Sequence, residues 1–158
     1  MPDTSAGIIL YKLTNGELRV LLAHPGGPFW RNRDEGAWTI PKGVKQGGEQ
    51  SEAAARREFA EELGAEARGE MRPLGEIRQR GGKRVVAFAL EGDFDPAGLR
   101  SNEFVVEWPP KSGRTASFPE IDRAAWFPLA VARTKILPAQ APLLDRLETM
   151  LSVRGDPS

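Results

Sequence analysis

The segment at 43–65 constrains this chain more than any other. It reads GVKQGGEQSEAAARREFAEELGA, and its alanines favour a helix, which we expect at 51–63. Glu58, Glu61 and Glu62 follow the i, i+3, i+4 spacing that places side chains on one helix face. Like charges this close repel one another, and Mg²⁺, which prefers carboxylate oxygens, would neutralise them. The segment therefore predicts a helix that presents an acidic face to a divalent cation.

An apolar stripe accompanies the acidic face of this helix. Ala55, Phe59 and Leu63 recur at i, i+4 and i+8, a spacing that lets them pack together against another layer of structure. Gly64 follows directly and is expected to end the helix. We expect the helix to dock on a sheet through this stripe and to keep its carboxylates accessible.

The fixed residues of the segment resemble the Nudix box. That pattern reads G-x5-E-x7-R-E-U-x-E-E-x-G-U, where U is aliphatic, and Gly43, Glu49 and Arg57 stand at its fixed positions together with the three glutamates. Phe59 and Ala65 depart from the aliphatic positions, which we interpret as packing variation because neither position carries reacting groups. A solvated acidic helix face would explain the last glutamates but not the glycine and glutamate upstream at this spacing.

The composition is that of an ordinary globular protein. A chain of 158 residues with 40% hydrophobic and 28% charged residues can bury a sizeable core as one domain. The 22 basic and 22 acidic residues give a formal net charge of zero, which argues against electrostatic binding to nucleic acid or an anionic membrane. There is no cysteine for a disulfide or a thiolate metal site. We expect a single domain over 1–158, with a frayed tail at 153–158.

The N-terminal sequence indicates where the protein works. MPDTSAGIILYK lacks the charged and then apolar order of a signal peptide, and no apolar run has the length of a membrane span. We therefore expect a cytoplasmic protein that binds neither nucleic acid nor a membrane. The resemblance to the Nudix family implies a small-molecule nucleotide as its partner. The sequence does not indicate the oligomeric state.

Short apolar runs separated by turn signals predict a mixed α/β fold. An Asn-Gly pair between strands at 6–12 and 18–23 predicts a hairpin, and Gly81-Gly82 predicts a second hairpin with a two-residue turn. The remaining predicted elements are strands at 37–41, 74–80, 83–91, 103–108 and 124–127, helices at 129–134 and 141–151, and long loops at 25–36 and 109–119. The resemblance implies the Nudix α/β/α sandwich, with a mixed sheet and a central catalytic helix.

The resemblance also implies a reaction and a cofactor. Nudix enzymes hydrolyse a nucleoside diphosphate linked to another group, and water attacks one phosphorus atom of the pyrophosphate. Mg²⁺ or Mn²⁺ is the implied cofactor, because a bound cation offsets phosphate charge and polarises water. The implied metal ligands are Glu58, Glu61 and Glu62, with Glu49 and the backbone carbonyl of Lys42 as further ligands.

The implied catalytic residues are Glu58, Glu61 and Glu62 with Arg57 and Glu120. Arg57 is expected to pair with a box glutamate and to fix its rotamer. Glu120 lies in SFPEIDRAAWF, which resembles the segment where family members carry a glutamate that reaches the metals or the attacking water. A solvated loop glutamate is an equally good interpretation, and the identity of the general base stays open.

Two groups of basic residues bear on the substrate. The segment WTIPKG resembles that of Nudix members acting on dinucleoside polyphosphates, and Lys42 within it would meet a phosphate as a point charge. The predicted Gly81-Gly82 turn would place Arg80 opposite Lys83, where two like charges disfavour a hairpin. A polyphosphate would relieve that repulsion, whereas the alternative is a hairpin tip charged for solubility.

The loop at 25–36 offers aromatic and basic side chains together. Trp30 and Arg31 are candidates for stacking a base and holding a phosphate, or the aromatic residue pins the loop to the core. His24, the single histidine, is expected to have a structural role, and Trp108 and Trp126 are expected in the core.

Other activities remain open at this point. Within the superfamily, the alternatives are an ADP-ribose or sugar-nucleotide pyrophosphatase, a nucleoside triphosphate pyrophosphatase and an RNA 5′-end pyrophosphohydrolase. The last favours a more basic surface than a net charge of zero supplies. A non-catalytic module that binds a nucleotide is a further alternative, although such modules usually lose box glutamates.

Overall fold

The computed structural model describes residues 3–154 as a mixed six-stranded sheet with helices on both faces. The strands are β1 (Thr4–Thr14), β2 (Glu17–Pro25), β3 (Lys42–Val44), β4 (Arg72–Arg78), β5 (Arg84–Glu91), β6 (Glu103–Glu107), β7 (Thr115–Pro119) and β8 (Ile121–Pro128). The helices are α1 (Ser51–Leu63), α2 (Leu129–Lys135) and α3 (Ala141–Arg154). The sheet order is β4-β5-β1-β2-β8, with β3 also paired to β1, and β6 and β7 form a separate hairpin.

Side chains of the central strand β1 alternate between two apolar cores. Ile8 lies in the core that contains Phe59 of α1, and Ile9 lies in the core that contains Leu143 and Leu147 of α3. This alternation is the period-2 geometry of a strand that is covered on both faces. It confirms the predicted α/β/α arrangement.

The helix α1 has the predicted bounds. It ends at Gly64, which adopts φ 77° and donates its N–H to the Ala60 carbonyl at 2.8 Å. A residue with a Cβ would be strained in this left-handed conformation. Ala55, Phe59 and Leu63 are buried, so the apolar stripe docks on the sheet as expected.

The first hairpin matches its prediction and the second does not. Asn15 and Gly16 both have positive φ, as a type I′ turn requires. In the second hairpin the last strand pair is Arg78 opposite Arg84, and the connection spans 79–83. Gly82 donates its N–H to the Gln79 carbonyl at 3.0 Å, an i→i+3 bond of 3₁₀ type, and Gln79 donates its N–H to the Lys83 carbonyl at 2.7 Å. Gly81 and Gly82 both have positive φ, which a regular 3₁₀ helix does not contain. The predicted two-residue turn, with Arg80 opposite Lys83, is therefore wrong, because the turn encloses three residues and Lys83 pairs with Gln79.

The strand predicted at 37–41 is also wrong. Only isolated bridges form here, between Trp38 and Ile136 and between Thr39 and Ala23. The regular strand is β3, and it begins immediately after Pro41. Proline has no N–H to donate and so disfavours a ladder at that position.

The loop predicted at 109–119 contains a strand. β7 pairs antiparallel with β6, and Phe118 lies opposite Phe104 with the ring centroids 6.2 Å apart. The strand was not predicted because the polar residues around Phe118 make the composition of this segment typical of a loop. At the other end, α3 continues to Arg154, and the rest of the predicted frayed tail at 153–158 lies outside the described residues.

Between residues 3 and 154, no helix has the length and apolar content needed to cross a membrane.

Two glycines bring the loop at 25–36 onto the β6–β7 hairpin. Gly26 donates its N–H to the Glu120 carbonyl at 2.8 Å, and a Cβ on Gly26 would lie 1.9 Å from the Pro119 carbonyl oxygen. A Cβ on Gly27 would lie 2.8 Å from the Phe104 ring. The loop therefore follows the hairpin at a distance that only glycine allows.

Gly26→Ala should destabilise the protein by about 1–3 kcal/mol, because the added methyl group meets backbone that cannot move aside. Gly98→Ala is the matched control, since a Cβ there meets nothing within 4 Å. Urea unfolding of both variants measures the difference. Equal unfolding midpoints would contradict the close approach of the loop to the hairpin.

Candidate active site

Arg57 lies at the centre of the candidate site and contacts three glutamates. Its Nε and Nη2 donate to the two oxygens of Glu49 at 2.9 and 3.0 Å. Its Nη1 donates to Glu58 at 2.6 Å and to Glu61 at 3.1 Å. A fifth contact runs from Nη2 to the Val44 carbonyl at 3.1 Å. One guanidinium thus fixes the rotamers of three box carboxylates and ties α1 to the loop before it, as the pairing prediction for Arg57 requires.

The pKa values of Glu49 and Glu58 are shifted in opposite directions. Hydrogen bonds from Arg57 hold the pKa of Glu49 at about 2. Burial raises the pKa of Glu58 despite the hydrogen bond from Arg57, and the charge of Glu61 raises it further. The opposing shifts follow from the contacts, since Glu49 accepts hydrogen bonds from Arg57 and from the Gln46 N–H, whereas the Glu58 carboxylate lies against Gly43 of β3.

Gly43 makes room for Glu58. A Cβ on Gly43 would lie 1.8 Å from a carboxylate oxygen of Glu58, so β3 and α1 approach each other more closely than any other residue allows. This close approach explains the first glycine of the box in physical terms.

Glu62 faces the other end of β3. Its Oε1 accepts a hydrogen bond from the Lys42 backbone N–H at 3.2 Å, and burial raises its pKa to about 8. Burial likewise lowers the pKa of Lys42, while the charge of Glu62 raises it. The two side chains therefore share one partly desolvated region beside the acidic face.

Glu120 lies within the electrostatic reach of the box. Burial raises its pKa, and the charges of Glu58 and Glu61 raise it further. Two backbone hydrogen bonds position it: Glu120 N–H donates to the Asn102 carbonyl at 2.8 Å, and Asn102 N–H donates to the Glu61 carbonyl at 3.1 Å. Sequence reasoning missed Asn102, because a backbone link between two distant segments leaves no residue pattern.

The donor chemistry of these residues fits a hard cation, whereas their present rotamers do not enclose one. In the part of the chain that the structure describes, no three His, Cys, Asp or Glu side chains are grouped to hold a metal ion. Glu58 and Glu61 are turned toward Arg57, which explains the open arrangement. The charges of Glu58 and Glu61 raise the pKa of Glu120, and the charges of Glu58 and Glu120 raise the pKa of Glu62. A divalent cation would relieve this repulsion.

The basic residues predicted to bind substrate fall into two groups. The charge of Lys83 lowers the pKa of Lys42, so these two cations are neighbours at the end of the acidic face. Arg80 is exposed in the 3₁₀ turn of the β4–β5 connection. Trp30 is half-buried with the guanidinium of Arg33, not that of Arg31, 5.6 Å from its ring centroid.

The remaining ring residues differ in burial. His24 is fully buried and structural as predicted, with Nδ1 2.8 Å from an Asp122 oxygen and Nε2 2.6 Å from the Arg33 carbonyl oxygen. Trp126 is half-buried beside the α1 core. Trp108 is half-buried and belongs to neither core. The core prediction for Trp108 is wrong, because β6 pairs outside the main sheet.

Comparison with known proteins agrees with this geometry. A family model described as NUDIX domain matches residues 2–147. An Ap4A hydrolase binary complex from C. elegans has 21% identity and a TM-score of 0.66, and the match covers 96% of this chain and 98% of that one. A mutT/nudix family protein from Listeria innocua has 19% identity and a TM-score of 0.66, with 98% of each chain covered.

A third similar structure contains a ligand. The NUDIX domain of Shewanella oneidensis NrtR, in complex with ADP ribose, has 16% identity and a TM-score of 0.66, with 96% of this chain and 89% of that chain covered. At such identities the likeness concerns the fold alone. Among curated proteins, none matches the sequence.

Stability should fall between about pH 5 and pH 8 in the presence of a chelator, and Glu62→Gln should reduce that fall. The folded protein retains a proton on Glu62 up to about pH 8, whereas a glutamate in the unfolded chain loses it near its ordinary pKa of 4.5. In this window the folded state binds more protons, so raising the pH costs up to ~1.4 kcal/mol per pH unit. Urea unfolding at several pH values measures it. An unchanged slope in the variant would assign the effect to other groups.

Proposed function

The chain belongs to the Nudix family, and we propose that it is a divalent-metal-dependent hydrolase of a pyrophosphate linkage in a nucleoside diphosphate linked to another group. The family assignment supports an enzyme of the pyrophosphohydrolase class, acting on phosphorus-containing anhydrides. The observation that carries the proposal is the convergence of Glu58, Glu61, Glu62 and Glu120 around a region organised by Arg57. We further propose a single cytoplasmic domain over 1–158.

Mg²⁺ or Mn²⁺ is the cofactor that this donor set suits. Glu58, Glu61 and Glu62 are the proposed ligands, with Glu49 and the Lys42 carbonyl as supporting ones. When bound, such a cation offsets the charge on phosphate oxygens and polarises water. The raised pKa values of Glu58 and Glu62 support this proposal, because a cation stabilises the ionised carboxylates that burial otherwise disfavours.

The remaining residues have roles that follow from their contacts. Arg57 orients the carboxylates that face the phosphates and does not itself take part in proton transfer. Water attacks one phosphorus atom, the anhydride P–O bond breaks, and the released proton passes to a carboxylate. Glu120 suits that last role, because burial raises its pKa and, among the described residues, it forms no ion pair with Arg57.

We propose a dinucleoside polyphosphate as the substrate class. The WTIPKG segment favours it, and the neighbouring cations Lys42 and Lys83 support it, since a longer phosphate chain offers charge beyond the reacting phosphorus. Arg80 extends the same basic edge. ADP-ribose or a sugar nucleotide is the second candidate, favoured by the ligand in the NrtR structure. The balanced net charge supports a small molecule over a nucleic acid.

Removal of the metal or of a box carboxylate should abolish hydrolysis. Chelator should stop turnover, and Glu61→Gln or Glu62→Gln should lower kcat by at least ~100-fold, since each removes a charged group that positions the cation or transfers a proton. Glu52→Gln is the matched control, because Glu52 lies in the first turn of α1 and pairs only with Arg56 among the described residues. Circular dichroism checks folding, and full activity in both site variants would refute the carboxylate site.

Charge reversal at Lys83 should discriminate between substrate classes. Lys83→Glu should lower kcat/KM more for diadenosine tetraphosphate than for ADP-ribose, because only the longer phosphate chain reaches beyond Lys42. Arg68→Glu is the control, since the Arg68 side chain is 80% exposed and pairs with Glu66 beyond the end of α1. Steady-state kinetics on both substrates measures the ratio, and equal losses would remove Lys83 from substrate selection.

A further inference from the structure

Two aromatic side chains meet at the surface, away from both cores. Phe29, in the loop at 25–36, is 60% exposed. Its ring packs edge-on against Trp108, with 5.6 Å between the centroids and 86° between the planes. An edge-on pair leaves one ring face free for a planar ligand. Neither residue contributes to the two apolar cores, so packing of the cores does not explain why these two rings meet at the surface.

Four cationic residues flank this pair along the loop and the β6–β7 turn. Arg31 and Arg33 follow Phe29 in the loop, and Lys111 and Arg114 lie in the turn between β6 and β7. All four are exposed, and within residues 3–154 none of them forms an ion pair. Unmatched guanidinium and ammonium groups beside an exposed aromatic ring suit a nucleotide, which offers both a phosphate and a planar base.

The acidic residue beside this turn, Glu107, already accepts hydrogen bonds from the backbone. Glu107 accepts backbone hydrogen bonds from Lys111 at 3.3 Å and from Gly113 at 3.0 Å. The Trp108 N–H donates to the Arg114 carbonyl at 2.9 Å, which closes the hairpin and holds Arg114 across from the indole. The cluster is therefore positive and anchored to regular structure on the hairpin side.

The loop at 25–36 and the β6–β7 hairpin connect the aromatic pair to the segment that contains Glu120. The loop follows the hairpin, with Gly26 beside Glu120 and Gly27 beside Phe104, and it reaches Trp108 through Phe29. Trp108 is five residues along from Glu103, which pairs with the residue before Glu120. At about 3.3 Å per residue, Trp108 lies about 17 Å from Glu103 along the hairpin, at the end opposite to Glu120.

We propose that Phe29 and Trp108 bind the second, remote nucleobase of a dinucleoside polyphosphate, and that Arg31 and Arg114 contact its adjoining phosphates. The proposal rests on the function proposed above and adds a second nucleoside site to it. The β6–β7 hairpin separates Trp108 from Glu120 by about 17 Å along its length, a span that a chain of several phosphates bridges. The site therefore selects for substrates with a base at both ends.

The test compares two ligands that differ only in the remote nucleoside. Methylene-bridged, non-hydrolysable analogues of diadenosine tetraphosphate and adenosine tetraphosphate are titrated in Mg²⁺ by isothermal calorimetry. Wild type should bind the dinucleoside analogue about tenfold more tightly, as expected for one additional stacked base. Phe29→Ala should abolish that difference and leave the affinity for adenosine tetraphosphate unchanged, and Phe29→Tyr should retain it.

Val105→Ala is the matched control, because Val105 is 68% exposed on the same hairpin and should leave both affinities unchanged. Equal affinity of wild type for the two analogues, or equal weakening of both in Phe29→Ala, would overturn the proposal. Binding of the analogues does not require turnover. If wild type hydrolyses no nucleotide but shows this pattern of affinities, the aromatic site stands and the hydrolase proposal fails.

Discussion

A single guanidinium holds the site together, and most of the local structure depends on it. Arg57 contacts Glu49, Glu58 and Glu61 at once, and it offsets the repulsion between Glu58 and Glu61 on one face of α1. The flat, five-donor geometry of arginine makes this possible, and lysine could not replace it. The same contacts leave Glu62 and Glu120 outside the ion-pair network, and burial raises the pKa of both, as it does for Glu58 despite the hydrogen bond from Arg57.

Close backbone approach is the second constraint. Gly43 lets β3 lie against Glu58, and Gly26 lets the long loop lie against the strand that precedes Glu120. Each glycine brings one carboxylate toward the centre of the site from a different direction. The acidic cluster therefore depends on the lack of a Cβ at Gly26 and Gly43 as much as on the charged side chains.

The sequence predicted the features that depend on neighbouring residues, and it failed for those that depend on residues distant in the chain. Helix α1, its Gly64 terminus and its buried stripe follow from spacing within one segment, and they were predicted correctly. The β4–β5 turn was wrong because two glycines are compatible with several turn geometries. Strand β7 was missed because only its pairing with β6 makes it a strand. The proximity of Glu120 to the box depends on hydrogen bonds through Asn102, which no local pattern encodes.

The topology of the sheet determines how late in folding the candidate site is completed. β1 pairs in parallel with β5, and β2 pairs with β8 near the other end of the chain. Contacts so distant in sequence require large loops to close before they stabilise anything, which slows folding. Because the carboxylates come from α1 and from the segment before β8, a newly made chain has its box helix early but a complete site only after its last strand has joined the sheet.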